Sequence, residues 1–120
     1  MILGLGTDMV LVSRLESALS RTPKLRDRLF HPAERQLTVR SLAVRFAAKE
    51  ALAKALGDPA ALSWSEIRVT SDARGKPSLQ TEGASAAALQ QLGVTSSHVT
   101  LSHDGDYAIA TVILERSGAA

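Results

Sequence analysis

The sequence predicts an α+β fold, in which a mainly antiparallel sheet packs against one long buried helix. Three observations predict it. Strand-like and helix-like stretches follow one another in the order strand, helices, hairpin, helix, hairpin. The stretch RFAAKEALAKALG, Arg45 to Gly57, reads as a helix that is apolar nearly all round, which calls for burial on several sides. Two turn signals, DARGK and HDGD, each join a pair of short apolar runs, which makes two hairpins. At 120 residues the chain suits a single domain, 1–120, and no linker, low-complexity tract or internal repeat divides it.

Each element has a local reason. Ile2 to Val12 is an apolar run carrying Gly4, Gly6 and Thr7, and reads as a buried strand. Ser13 is a candidate cap for a helix from Arg14. Thr22-Pro23 restarts the helix, and Pro32 does so again ahead of Ala33 to Val39. Ser41 is a candidate cap for the long helix through Leu56, which Gly57-Asp58-Pro59 ends. Glu66 to Ser71 and Pro77 to Thr81 form the first hairpin. Gly83 to Leu92 is an Ala-rich helix ending at Gly93. His98 to Leu101 and Tyr107 to Leu114 form the second hairpin, with Leu101, Ile109, Val112 and Ile113 as core positions.

Composition narrows the function. There is no Cys, which excludes disulfides, thiolate zinc sites and cysteine nucleophiles. No apolar run reaches membrane-spanning length, and MILGLGTDMV lacks the charged start of a signal peptide, so no membrane is expected and the cytoplasm is the default location. Net charge is only +2, but Arg14 to Arg45 holds eight basic and three acidic residues. One segment is basic and the remainder mildly acidic, a pattern that suits an acidic partner meeting one face. Nucleic acid is not expected: there are no recognition aromatics, zinc ligands or helix-turn-helix signal.

Four constellations could carry chemistry. Asp8 is a lone carboxylate in the apolar run GLGTDMV, where the GxG pair alone is a weak phosphate signal. Glu50 and Lys54 are four apart on the long helix, with apolar neighbours that argue against a plain surface ion pair. His103 ends a strand at the HDGD turn, where its ring can face a cleft; His31 and His98 carry no such context. GKP, Gly75 to Pro77, is by itself only a hairpin turn. Asp8 and Glu50 without Cys suggest a hard-cation site, and Mg²⁺ binds through one or two carboxylates plus waters and substrate phosphates. Lys54 would neutralise phosphate charge, and His103 would hold a phosphate oxygen or move a proton. The set describes Mg²⁺-assisted chemistry on a pyrophosphate.

Taken together, GLGTDMVLVSRL, RFAAKEALAKALG, GKP and LSHDGDYAIATVILE resemble the holo-acyl-carrier-protein synthases, the small single-module 4'-phosphopantetheinyl transferases. The resemblance covers nearly the whole chain in order. It implies that fold, with Asp8 and Glu50 as metal ligands and with Glu50, Lys54 and His103 as catalytic residues. It further implies Lys54, His103 and Pro77 at the coenzyme A site, with Arg45 and Lys49 there as phosphate contacts or else in subunit-interface pairs, and Arg14, with Arg21 and Lys24, at the docking face for the carrier protein. The expected reaction moves 4'-phosphopantetheine from coenzyme A to a serine of apo acyl carrier protein, as fatty acid biosynthesis requires, releasing 3',5'-ADP. Larger relatives hold two such modules with the site between them, so a one-module chain is expected to form a homotrimer with interfacial sites. The competing readings are a Mg²⁺-dependent pyrophosphate hydrolase and a basic binding module.

Overall fold

The structure, a computed structural model, describes residues 1–118. In chain order it comprises β1 (Ile2–Leu11), α1 (Val12–Arg21), α2 (Leu25–Leu29), α3 (Val39–Leu56), β2 (Ile67–Ser71), β3 (Pro77–Thr81), α4 (Gly83–Leu92), β4 (Ser96–Asp104) and β5 (Tyr107–Glu115). One antiparallel sheet has the order β1-β5-β4, and β2 pairs with β3 in a separate hairpin. The expected α+β architecture is therefore present, with α3 laid across the three-stranded sheet.

Side-chain alternation sets the two faces of that sheet. Gly4, Gly6, Asp8 and Val10 of β1 share the α3 side with Ala108, Ala110, Val112 and Leu114 of β5. Leu5, Thr7 and Met9 point the other way, and Leu5 and Met9 are exposed. Within the chain the strand is thus not buried on both sides, because no described residue covers its outer face. On the inner face the approach to α3 is close. A Cβ added at Gly4 would overlap the Ala55 carbonyl oxygen, and one added at Gly6 would overlap that of Ala51. Only glycine permits strand and helix backbones to meet in this way.

The all-round apolar pattern of α3 has its expected consequence. Leu42, Ala43, Ala47, Ala48, Ala51 and Leu52 are fully buried. They join two apolar clusters, one with Ile67, Val112 and Leu114, the other with Leu15, Leu19 and Phe30. Gly57 ends the helix in the left-handed conformation at φ 82°. Its start lies earlier than Ser41: the Thr38 hydroxyl accepts from the Ser41 amide at 3.3 Å, so Ser41 is the capped residue rather than the cap. Helix α1 begins at Val12, and Ser13 does not cap it. Its cap comes from afar, since the Ser13 amide donates to the Asp106 carboxylate at 3.0 Å.

The helix expected over Ala33 to Val39 does not form; residues 32–36 are turns. Glu34 supplies the reason. Its buried carboxylate accepts from the His31 amide at 3.0 Å, the Val69 amide at 2.9 Å and the Lys49 ammonium at 2.6 Å. Lys49 is fully buried and spends its other two donors on the carbonyls of Leu29 (2.9 Å) and Trp64 (3.1 Å). Phe30 lies 5.0 Å from the ammonium. Burial lowers the Lys49 pKa, opposed by the hydrogen bond and the charge of Glu34. Contacts at residues 31, 49 and 69 thus override a local helical preference.

Two substitutions test these packing arguments. Gly6→Ala should lower the free energy of unfolding by about 1–3 kcal/mol, the usual cost of overpacking, in urea titration; an unchanged midpoint would show that strand and helix separate freely. Lys49→Met strands a buried carboxylate and should cost about 3–5 kcal/mol by the same measurement. A loss below about 1 kcal/mol would mean that Glu34 is satisfied without the ammonium.

Candidate active site

The close β1–α3 contact decides which polar groups meet. Asp8 lies two residues beyond Gly6, so it also faces α3, from which Glu50 and Lys54 project. Lys54 Nζ donates to Asp8 Oδ1 at 3.0 Å and to the Thr7 carbonyl at 2.9 Å. The i,i+4 spacing with Glu50 is therefore not where the ammonium goes. The Glu50 carboxyl is held above its ordinary value, first by partial burial and then by the charge of Asp8, with Lys54 opposing. Asp8 and Glu50 line a groove of about 620 Å³, which Arg14 and Tyr107 also line, over an apolar floor that includes Leu15 and Phe46.

His103 is elsewhere. It pairs with Ala108 across β4–β5 and so also faces the α3 side of the sheet, but at the far edge. It lines a second groove of about 480 Å³ with Arg40, Ser41, Arg45 and Ser102. The Arg45 guanidinium donates to the Ser41 carbonyl at 3.2 Å. Its Nε lies 3.9 Å from Glu34 Oε2, buried and without a hydrogen-bond partner. Helix α3 divides the two grooves: Phe46 and Glu50 face one, Ser41, Val44 and Arg45 the other. One carries the carboxylate pair and the other is basic, as two halves of a site for a metal-bound polyphosphate would be.

The residues present fit a divalent cation. Asp8 and Glu50 offer hard carboxylate oxygens, and the Glu50 carboxyl, raised first by burial and then by the charge of Asp8, is one whose ionised form a cation would favour. Among the described residues no third His, Asp or Glu joins them. The remaining ligands would be waters or substrate oxygens, which suits Mg²⁺.

Other candidates fall differently. Lys49 is a correction: with its ammonium fully buried and all three donors taken inside the core, it cannot reach coenzyme A. Pro77 opens β3 opposite Ser71 and lines neither groove. Arg14 lines the carboxylate groove, while Arg21 ends α1 and Lys24 precedes α2, both exposed. Part of the basic segment is structural: Arg26 donates to the Arg35 carbonyl at 2.7 Å, and Arg35 to the carbonyls of Phe30 and Asp27. Sequence reasoning missed Arg40 as a groove residue and Asp106 as a cap. Both needed knowledge of the hairpin's position, although Arg40 belongs to the basic segment that Arg45 ends.

Comparison with known proteins places the chain in a family. The model of the 4'-phosphopantetheinyl transferase superfamily matches residues 4–112. A holo-acyl-carrier-protein synthase of Clavibacter sepedonicus is 52% identical over 119 residues, 99% of this chain and 100% of that protein. The crystal structure of the holo-acyl-carrier-protein synthase of Neisseria meningitidis superposes with a TM-score of 0.89 at 33% identity, covering 97% of this chain and 100% of that one. That of Helicobacter pylori, in complex with coenzyme A, gives 0.82 at 28% identity, covering 92% and 99%. The family match spans β1 with Asp8, α3 with Glu50 and Lys54, and the β4–β5 hairpin with His103, and over that span this chain belongs to the 4'-phosphopantetheinyl transferase superfamily.

Proposed function

We propose that the chain transfers 4'-phosphopantetheine from coenzyme A to a serine hydroxyl of apo acyl carrier protein, releasing 3',5'-ADP, in a Mg²⁺-dependent reaction. The observation that carries the reading is the division of labour across α3, with a carboxylate pair in one groove and a cluster of Arg40, Arg45 and His103 in the other. Relatives about half identical over nearly the whole chain bear the name holo-acyl-carrier-protein synthase, and the Helicobacter pylori structure holds coenzyme A.

Asp8 and Glu50 would hold the ion, which when bound polarises the pyrophosphate as a Lewis acid. Lys54 fixes the Asp8 carboxylate and keeps a positive charge beside the phosphates. The serine oxygen forms a bond to the phosphorus that carries pantetheine, and the bond from that phosphorus to 3',5'-ADP breaks. The serine proton would pass to Glu50 or to a water at the carboxylate pair. His103 and Arg45 orient the nucleotide phosphates, and Arg14, beside Asp8 and Glu50, meets the acidic carrier protein. The carrier is that of fatty acid biosynthesis, and the reaction belongs to the cytoplasm. Among the described residues no helix is long and apolar enough to cross a membrane.

The active assembly is a homotrimer. Exposed Leu5 and Met9 pair with Ile113 and Ile109 on the outer sheet face, two apolar pairs either side of the Thr7–Thr111 pair. Two half-sites separated by a helix suit a cyclic, head-to-tail arrangement in which neighbours complete each other's cleft.

Intact mass of an apo fatty-acid acyl carrier protein, after incubation with coenzyme A and Mg²⁺, should rise by one phosphopantetheine. The gain should vanish with chelator and with Asp8→Ala, and should fall at least about a hundredfold in rate with Glu50→Gln, on the scale of removing a charge-stabilising group. Coenzyme A consumed equally without carrier would replace the reading by a hydrolase, and near-full activity in Glu50→Gln would remove the metal assignment. Light scattering across a dilution series should give three chains per particle; an active monomer of 12.7 kDa would overturn the assembly.

A further inference from the structure

The turn between β4 and β5 is joined to the start of α1 by contacts that the reaction scheme does not use. The Asp106 carboxylate accepts from the Ser13 amide at 3.0 Å and from the Ser13 hydroxyl, and the Asp106 carbonyl accepts from the Val12 amide at 2.8 Å. The preceding residue, Gly105, stands at φ 57° in the turn, and its carbonyl takes a hydrogen bond from Arg40 of α3 at 3.4 Å. Helix α1 has no cap of its own, for Leu11 at its N-terminal boundary offers no side-chain acceptor. Two of its orphan amides are therefore satisfied by a residue 93 positions away. The residue after Ser13 is Arg14, which lines the groove of Asp8 and Glu50, and three residues before Asp106 is His103, in the other groove.

We propose that Asp106 is a positioning residue for carrier recognition: by capping α1 it fixes Arg14 at the carboxylate groove. The inference rests on the transferase reading above and names a residue through which that reaction is steered. Asp106 lines neither groove and touches no reacting atom. It acts on the first turn of α1, where a freed amide and an unheld backbone would let the Arg14 guanidinium sample several directions instead of one. An acidic side chain at a helix N-terminus also complements the helix dipole.

The sign of the effect separates positioning from bulk electrostatics. Asp106 is a negative charge close to a face offered to an acidic partner. If charge alone mattered, Asp106→Ala would lower the KM for the carrier, since like charges repel. Positioning demands the reverse, a KM for carrier protein raised about fivefold, of the order of a lost helix cap, with the KM for coenzyme A and kcat unchanged. Asp106→Asn, which retains a capping oxygen, should restore most of the wild-type value, and Ser13→Ala should give a partial version of the Asp106→Ala effect. In an Arg14→Ala background the Asp106→Ala change should add nothing, because its route is already removed.

The experiment is steady-state transfer to apo acyl carrier protein at saturating Mg²⁺, varying carrier and coenzyme A separately. A carrier KM that is unchanged or lowered in Asp106→Ala overturns the proposal, as does an effect that persists in full without Arg14 or that falls equally on coenzyme A. If wild-type protein transfers nothing to the carrier, the transferase reading itself fails; active wild type with indifferent Asp106 variants removes only the positioning role.

Discussion

The contact between the β1 backbone at Gly4 and Gly6 and the carbonyls of Ala51 and Ala55 on α3 is the constraint on which the molecule depends. Strand and helix normally meet through side chains. Here nothing stands between them on the strand side, and alanines line the helix side. The distance is therefore set by backbone atoms, which do not change rotamer. Asp8 then emerges from the strand at a fixed height above Glu50 and Lys54. A carboxylate pair for a small hard cation needs that rigidity, because Mg²⁺ tolerates little departure from its geometry. The pair of glycines is thus better understood as a spacer that sets the site than as a phosphate loop.

The irregular segment between α2 and α3 is held by the opposite strategy. Instead of apolar packing it uses the buried pair of Glu34 and Lys49, with all three ammonium protons and both carboxylate oxygens engaged by named partners. A charge pair of this kind contributes less to net stability than apolar packing of equal volume. It does make the geometry directional. Leu29, His31, Trp64 and Val69 are all referred to one point, and Arg45 lies close enough to the same carboxylate for its charge to matter. The wall of the His103 groove is in this way referenced to the core.

Much of this was legible in the sequence. The ends of α3 and α4 followed from Gly57 and Gly93, both left-handed in the structure, and the two hairpins from their turn residues. The burial of α3 followed from its apolar periphery. The residue types at Asp8, Glu50 and Lys54 suggested oxygen ligands and a phosphate-seeking cation, and the resemblance gave them an order. Lys49 was misread because its surroundings are apolar on every side of the helix, so periodicity does not say which charge turns inward. The partner that settles it, Glu34, lies in a segment whose proline start suggests a helix. The contact between Ser13 and Asp106 spans most of the chain, and no local pattern encodes it.

Lys54 has a consequence outside chemistry. β1 is an edge strand of its sheet, and edge strands present unpaired acceptors on which another chain can build. Lys54 takes the Thr7 carbonyl on that strand and places a solvated ammonium beside it. A second strand approaching there would meet a positive charge and an acceptor already in use. The side chain that holds Asp8 thereby also occupies an acceptor on the open border of the sheet, where a second strand would otherwise pair.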